Sequence, residues 1–332
     1  MALVSIEFCI FLFSIILIYL IVPQFLKKYV IVFANIFFGI CNGVRSFIGL
    51  VILCVFTFSD GLLIAKAKNK KAALIGGISV ILIAFVFQRY AKEDLWIMVG
   101  LSFWGLQLIS YLCDIYNKKY IPTHNFVDFF IYVSFFGNVT SGPIERADKI
   151  LPQYNSLATN SKNIQHGIQL CLWGLMQKLI LGERLAMVAN TIFDNYVMYS
   201  GIEIIIGVFA YSLQIYCDFC GYSNIAVGVA EVFGLHIIEN FKQPYFARTI
   251  SEFWRRWHIS LSQWLRDYIY IPLGGNKKSA VRKYLNIIIV FMISGIWHGN
   301  NATFLYWGGG ICTLPDCWRK YKKNQTKIKE YL

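Results

Sequence analysis

The sequence predicts an all-α, polytopic integral membrane protein, and three observations carry that prediction. The chain is 57% hydrophobic and only 15% charged, whereas soluble domains are typically about 25% charged. Apolar runs long enough to cross a hydrocarbon core of about 30 Å recur along the 332 residues. Lysines and arginines cluster in the short gaps between these runs, as the positive-inside rule describes.

The apolar runs mark candidate membrane helices in chain order. They begin near Ile6, Phe47, Ala72, Trp96, Phe126, Ile164, Ile202 and Tyr284. Some are too short or too polar to span alone, so we expect roughly eight to eleven membrane helices. The first run lacks an A-x-A-like cleavage site, and we expect it to be a retained helix rather than a signal peptide.

The net charge of +13 does not indicate nucleic-acid binding. The basic residues form short groups between apolar runs, such as Lys27–Lys28, Lys70–Lys71 and Lys118–Lys119. Loops that remain on the cytoplasmic side of a membrane have this composition. We therefore expect membrane lipids, and no nucleic acid, among the partners of the chain.

The nine cysteines predict neither a disulfide framework nor a metal centre. Most lie inside apolar runs, where a thiol behaves as a small hydrophobic group. Cys217 and Cys220 have the spacing of a redox motif, but no second CxxC and no cluster of histidines accompanies them. We expect no metal site and no bound cofactor.

The chain shows no repeat, low-complexity tract or linker that would divide it into domains. We therefore expect one membrane domain over residues 1–332. It would comprise N-terminal membrane helices in 1–120, a core in 121–310 that concentrates polar, aromatic and glycine residues, and a basic tail in 311–332. The longest polar interval, residues 145–165, is predicted to be a surface loop between membrane helices.

One segment, TISEFWRRWHISLSQWLRDYIYIPLGGN, carries an unusual density of polar and aromatic side chains. Thr249 and Glu252 have the spacing of a capping box, and residues 272–276 form a strong stop signal, so we predict one amphipathic helix between them. With roughly 100° per residue, His258 falls at the edge of the aromatic face. Its predicted neighbours on that edge are Arg255, Ser262 and Arg266. The alternative is an interfacial helix whose arginines pair with lipid phosphates.

A second histidine, His298, ends the apolar run that begins near Leu285. An ionisable group at such a position is a functional hypothesis by default. Burial would keep its imidazole neutral and able to accept a proton. The alternative is a core histidine bonded to a neighbouring carbonyl. The other histidines, His124, His166 and His236, lie in or beside apparent loops and are interpreted as solvated.

The segments FWRRWHISLSQWLRDYIYIPLGGN and SGIWHG resemble the membrane-bound O-acyltransferase (MBOAT) family, in particular its bacterial alginate O-acetyltransferase-like branch. Four further segments resemble that branch in the same order. They are GLSFWGLQLISYLCDIYNKK, NFVDFFIYVSFFGNVTSGPIERADKILPQ, LWGLMQKLILGERLA and YSLQIYCDFCGYSNIAVGVAEVFGLHIIENFKQPYFARTI. Together these segments cover roughly residues 95–310, so the resemblance rests on several motifs in the same order.

The resemblance implies a helical core around a tunnel in the cell membrane. A cytoplasmic donor, acetyl-CoA, would there give its acetyl group to a hydroxyl of an exported or cell-surface polysaccharide. His298 matches the histidine regarded as catalytic in the family, and His258 matches the second histidine. A separate extracytoplasmic partner protein that completes the transfer is a further expectation.

The chemistry expected of these residues follows from the transfer. His298 would act as the base that removes the hydroxyl proton, and His258 would orient the donor or assist proton transfer. An acyl-histidine intermediate is an open alternative. Arg255 and Arg266 would meet an anionic group of the donor or the glycan. The remaining candidate binding residues are Trp254, Ser262, Asp218 and Trp297.

The chain departs from the family pattern in two places. Cys220 and Asn224 stand where the family-like DFSGYSD has serine and aspartate. The sequence also continues only briefly past His298, and we expect a truncated or frameshifted product or, as the alternative, a minimal variant. The alternatives to acetyl transfer are D-alanyl transfer to teichoic acid, a non-catalytic truncated fragment, and, from a different class, a transporter. A transporter would be expected to show a repeated half and charges spread over several helices.

Overall fold

The computed structural model describes residues 1–90, 97–277, 279–299, 301, 303–304 and 306. Every regular element in these ranges is a helix, which confirms the predicted all-α class. The chain forms two compact units, Met1–Asn240 and Phe241–Leu332. The sequence-based division near residues 120 and 310 is untested by these units and stays a prediction.

The first unit contains ten helices in its described residues. They are α1 (Ile6–Ile21), α2 (Lys27–Cys41), α3 (Val44–Lys66), α4 (Lys70–Tyr90), α5 (Leu101–Tyr116), α6 (Phe126–Ser134), α7 (Ala147–Ile150), α8 (Ser161–Leu175), α9 (Glu183–Asp194) and α10 (Gly201–Val232).

In the part of the chain that the structure describes, four helical segments are long and apolar enough to cross a membrane: residues 24–41, which include α2, together with α3, α4 and α10. The helix α1 is apolar but shorter. In α4 only Gly77 and Ile81 are buried, so most of its apolar surface faces outward, as expected for contact with lipid. The chain is thus a multi-pass membrane protein, while the expected total of eight to eleven spans stays a prediction.

An aromatic cluster forms part of the core of the first unit. The rings of Phe11 and Phe136 meet edge to face with centroids 5.3 Å apart, and Phe136 meets Phe233 in the same way at 5.6 Å. Tyr19 packs edge-on against Phe233 at 4.8 Å and donates its hydroxyl hydrogen to the Phe233 carbonyl at 2.8 Å. These contacts join α1, the segment after α6 and the end of α10.

The prediction of a surface loop over residues 145–165 was wrong for its first half. Ala147, Ile150, Leu151 and Tyr154 are all buried, in α7 and the 3₁₀ turn that follows it. Their spacing of i, i+3, i+4 and i+7 is that of one helix face. The polar residues between them gave the segment a loop-like composition and hid this pattern.

Glycines allow α8 and α10 to pack closely as antiparallel neighbours. A Cβ atom on Gly174 would lie 2.5 Å from the carbonyl oxygen of Gly221, and one on Gly167 would lie 2.5 Å from that of Gly228. Each pair is separated from the next by seven residues along both helices. Close backbone approach through small residues is a common way for membrane helices to associate. A π-helical turn, Met176–Gly182, then connects α8 to α9.

The second unit contains a 3₁₀ turn at Pro244–Phe246 and three helices in its described residues. They are α11 (Ile250–Arg256), α12 (Ile259–Leu265) and α13 (Ala280–His298). A π-helical turn, Arg266–Tyr270, extends α12.

The single helix predicted between Thr249 and the 272–276 turn is wrong, because the backbone breaks at Trp257 and His258. His258 has φ 43° and ψ 55°, a left-handed conformation. Hydrogen bonds that helical periodicity does not predict stabilise this break. The Arg256 carbonyl accepts the Lys242 N–H at 2.9 Å, and the Trp257 carbonyl accepts the Ser262 hydroxyl at 3.3 Å.

The structure agrees with the predicted ends of this segment more closely than with its predicted middle. The Thr249 hydroxyl caps α11 by accepting the Glu252 N–H at 3.1 Å. The Glu252 carboxylate accepts the N–H of Arg248 at 2.9 Å rather than that of Thr249, so the capping box is half formed. The stop signal is confirmed as a series of turns over residues 271–276.

Candidate active site

The break between α11 and α12 places His258 inside the second unit. Only 3% of its surface is exposed. Its carbonyl accepts the Ser262 N–H at 3.0 Å, which starts the first turn of α12. Histidine is among the residues that adopt left-handed backbone more often than most non-glycine residues. The sharp change of direction therefore turns the imidazole inward instead of leaving it on a helix surface.

The last turns of α13 pack against this corner through aromatic rings. The His258 and Trp297 ring centroids are 6.1 Å apart with planes at 63°. Nearer the middle of α13, Phe291 meets Trp254 of α11 at 5.4 Å in an edge-on contact. These two contacts fix the α11–α12 corner against the C-terminal half of α13.

His298 is the final residue of α13 and follows Trp297 directly. Its ring lies 4.7 Å from the Trp297 ring and stacks on Phe304 at 6.5 Å with planes at 13°. The residue is exposed, whereas the sequence led us to expect a buried imidazole. The difference arises because His298 ends its helix beside Gly299, which adds no side chain to cover it. Exposure also argues against the alternative of a core histidine.

The two imidazoles differ in their electrostatic surroundings. Burial, together with the charge that nearby His298 can carry, lowers the pKa of His258 to about 3. His258 is therefore neutral at physiological pH. The neutral, buried imidazole expected at His298 is found at His258.

Comparison with known proteins gives the family of the chain. Residues 117–317 match the model described as MBOAT, membrane-bound O-acyltransferase family. The chain belongs to this family. The predicted family is thereby confirmed, and both histidines lie within the matched range.

The MBOAT chain is similar to relatives that are named for O-acetylation and for D-alanyl transfer. It is 36% identical to the "Probable alginate O-acetylase AlgI" of Pseudomonas putida, over 70% of this chain and 48% of the relative. It is also 36% identical to the "Peptidoglycan O-acetyltransferase" of Helicobacter pylori, over 63% and 45% respectively. The "Teichoic acid D-alanyltransferase" of Bacillus subtilis is 28% identical over 85% of this chain and 78% of its own length. The chain spans about half the length of the O-acetylating relatives.

The structure brings together three of the predicted site residues of the MBOAT chain, His258, Trp297 and His298, while Trp254 contacts the same helix, α13, at Phe291. Ser262 lies one turn into α12, where its hydroxyl donates to the Trp257 carbonyl. This contact supports the backbone beside His258, and binding of substrate by Ser262 stays a prediction.

Arg255 and Arg266 are both exposed, and Arg266 pairs with Asp267 at 2.8 Å. The helical projection that set them beside His258 requires an unbroken helix, so it does not describe the observed backbone. Their contact with an anionic substrate group stays a prediction.

Asp218 lies in the first unit, on α10. Its carboxylate pairs with the Lys178 ammonium at 2.9 Å, and Lys178 belongs to the π-helical turn between α8 and α9. The sequence did not indicate that Lys178 pairs with Asp218, because the π turn between α8 and α9 departs from regular α-helical spacing. π turns occur frequently at functional sites.

Asn224, whose role the sequence left open, donates its amide hydrogen to the Gln177 side-chain oxygen at 2.7 Å. It also lies 3.5 Å from the Cys220 sulfur. Gln177 is only 5% exposed, so Asn224 gives a buried amide the partner it requires. The two departures from the family pattern thus lie next to each other.

Sequence reasoning also missed Arg256. Its guanidinium pairs with Glu252 at 2.6 Å and donates to the Gln243 carbonyl at 3.4 Å. The i, i+4 spacing of Glu252 and Arg256 is a recognisable signal for the first of these contacts. No group of three or more histidine, cysteine or acidic side chains that could hold a metal occurs among the described residues.

Proposed function

We propose that this MBOAT protein transfers acetyl groups from cytoplasmic acetyl-CoA to hydroxyl groups of an exported or cell-surface polysaccharide. The observation that carries the proposal is the pair of imidazoles, His258 and His298, which both contact the Trp297 ring within the family domain. The names of the alginate and peptidoglycan relatives support acetyl as the group transferred and a polysaccharide as its acceptor.

His298 is the base in this proposal because its ring is exposed at a helix end. It accepts the proton of the acceptor hydroxyl while the oxygen attacks the acetyl carbonyl carbon. A carbon–oxygen bond forms, the carbon–sulfur bond of the donor breaks, and the leaving thiolate takes the proton from His298. General base catalysis of this kind typically contributes about 10²–10⁴ in rate.

His258 is too buried to reach a sugar hydroxyl, so its role is indirect. Like charges oppose each other's formation, and a protonated His298 disfavours protonation of His258. The effect is reciprocal. Because His258 remains neutral, the proton that His298 accepts meets no second positive charge, and His258 supports the Trp297 ring that both histidines contact.

D-alanyl transfer to teichoic acid is the second candidate. The Bacillus subtilis relative that carries this name aligns with 85% of the chain, a larger share than the alginate relative covers. Its identity is lower, at 28% against 36%. The same two histidines would serve either acyl group, so the product decides between them.

The test compares envelope polysaccharide from cells that lack the protein with cells that express the wild type, His298→Ala or His124→Ala. Base-labile acetate and D-alanine are both measured, with the protein quantified in the membrane fraction. We expect acetate with the wild type and with His124→Ala, whose histidine is exposed on a loop. We expect a loss of at least about 100-fold in the rate for His298→Ala.

D-alanine in place of acetate would establish the second candidate. If neither product changes although the protein is present in the membrane, the proposal fails for this chain. An extracytoplasmic partner protein is a further part of the proposal. It predicts that acetate transfer requires both His298 and this separate protein, so that loss of either one abolishes the acetate.

A further inference from the structure

Among the described residues of the second unit, two residues other than glycine have left-handed backbone. They are Gln243, with φ 47°, and His258, with φ 43°. Backbone in this region is strained for such residues and persists only where the surroundings hold it. Strained positions also cluster at active sites. The contacts that hold these two residues therefore bear on the chemistry of His258.

Arg256 connects the turn that contains Gln243 to the end of α11, two residues before His258. Its guanidinium donates to the Gln243 carbonyl at 3.4 Å, and its own carbonyl accepts the Lys242 N–H at 2.9 Å. Glu252, one turn earlier on α11, holds the same guanidinium at 2.6 Å. The turn at 242–243 and the end of α11 are thus fastened together two residues before His258.

We infer that Arg256 is a positioning residue that sets the direction of the His258 imidazole, with Glu252 as its anchor. The inference rests on the proposed function, since it assumes that His258 serves the transfer. A guanidinium suits the task because its planar donors bond a carboxylate and a carbonyl at once. A lysine ammonium, as a point charge, keeps the carboxylate contact but reproduces this geometry poorly.

The position of Arg256 makes this role separable from folding. The side chains of Arg256 and Glu252 are 33% and 32% exposed, so their removal opens no cavity in the core. Ion pairs at such exposure contribute little to stability. A displacement of about 1 Å in a catalytic group, in contrast, can cost about 100-fold in rate. A variant should therefore stay folded and lose activity.

The first test measures the rate at which radiolabelled acetate enters envelope polysaccharide. We expect Arg256→Gln to lower that rate at least about tenfold at equal membrane abundance, and Arg256→Lys to fall between Arg256→Gln and the wild type. Arg282→Gln, at the exposed start of α13, is the control and should match the wild type. An unchanged rate in Arg256→Gln would overturn the inference.

A double variant distinguishes positioning from general structural damage. If Arg256 acts only through His258, Arg256→Gln should cause no additional loss when His258 is already alanine. Structural damage would lower the rate by the same factor in both backgrounds. That additive result would overturn the inference even if the single variant were impaired.

A readout that needs no activity separates this inference from the proposed function. The chain has five histidines, so the nitrogen NMR signals of histidine-labelled protein can be assigned, with His258→Ala identifying the signal of interest. We expect Arg256→Gln to move the His258 signal and Arg282→Gln to leave it unchanged. If the wild type transfers no acetyl group, the proposed function fails, and this spectrum still decides whether Arg256 positions His258. An unmoved signal would overturn the inference.

Discussion

At the scale of the residue, burial makes His258 a source of pH-dependent stability. Its pKa is about 6.5 in an unfolded chain and about 3 in the folded protein. Between these values the unfolded chain binds more protons, so the free energy of unfolding decreases as the pH falls. From pH 7.5 to 5.5 the loss from this residue is on the order of 1 kcal/mol.

His258→Asn tests this prediction because asparagine also tolerates left-handed backbone and does not titrate. Thermal unfolding of the purified protein should lose less stability on acidification in the variant than in the wild type. His124→Asn, at an exposed loop position, is the control and should retain the full pH dependence. Equal acid sensitivity in His258→Asn and the wild type would contradict the assigned burial.

At the scale of the element, glycines determine how α8 meets α10. A Cβ on Gly174 would lie 2.5 Å from the Gly221 carbonyl oxygen and 3.0 Å from the Ile225 nitrogen, so the backbones must separate. We expect Gly174→Ala to destabilise the protein by about 1–3 kcal/mol. Gly76→Ala in α4 is the matched control, since nothing lies within 4 Å of its Cβ position.

The control should be neutral or slightly stabilising, because alanine is the better helix former by about 1 kcal/mol. Thermal midpoints of the two variants, measured in the same detergent, decide the matter. A shift that is equal in the two would mean that backbone propensity, and not helix contact, controls the effect.

Elements also show how far the sequence could predict the structure. Local signals were sufficient at the Thr249 cap and at the 272–276 stop, because both depend on residues close in the chain. The break at His258 was not predictable from periodicity, since the Lys242 N–H that binds the Arg256 carbonyl comes from outside the helix. The Lys178–Asp218 pair was missed for a related reason, because a π turn sets its register.

The candidate site, too, has features that the sequence could predict and features that it could not. The histidines and tryptophans were identifiable from the sequence as unusual groups in an apolar chain. Which histidine is buried was not, because that depends on the backbone at 257–258 and on α13 ending at His298. The residues 145–155 carried a helical pattern that polar composition obscured, so there the signal was present and overlooked.

At the scale of the whole molecule, the order of helices and charges predicts the orientation of the N-terminal part. The candidate spans of α2 and α3 separate two lysine-rich segments, one at the start of α2 (Lys27–Lys28) and one at residues 66–71. Two crossings return the chain to the same side, so both lysine-rich segments lie on one face of the membrane. The turn between α2 and α3, at Asn42–Gly43, then lies on the opposite face. Because positive charge favours the cytoplasm, the lysine-rich face is cytoplasmic.

Epitope tags inserted after Asn69 and, in a second variant, after Asn42 test this orientation. In cells with a permeable outer envelope but an intact inner membrane, antibody should bind only the tag after Asn42. The tag after Asn69 should become accessible once the membrane is opened by detergent. Access to the Asn69 tag in intact membranes would contradict the orientation. Access to both tags would mean that α3 does not cross the bilayer, despite its 23 residues and apolar composition.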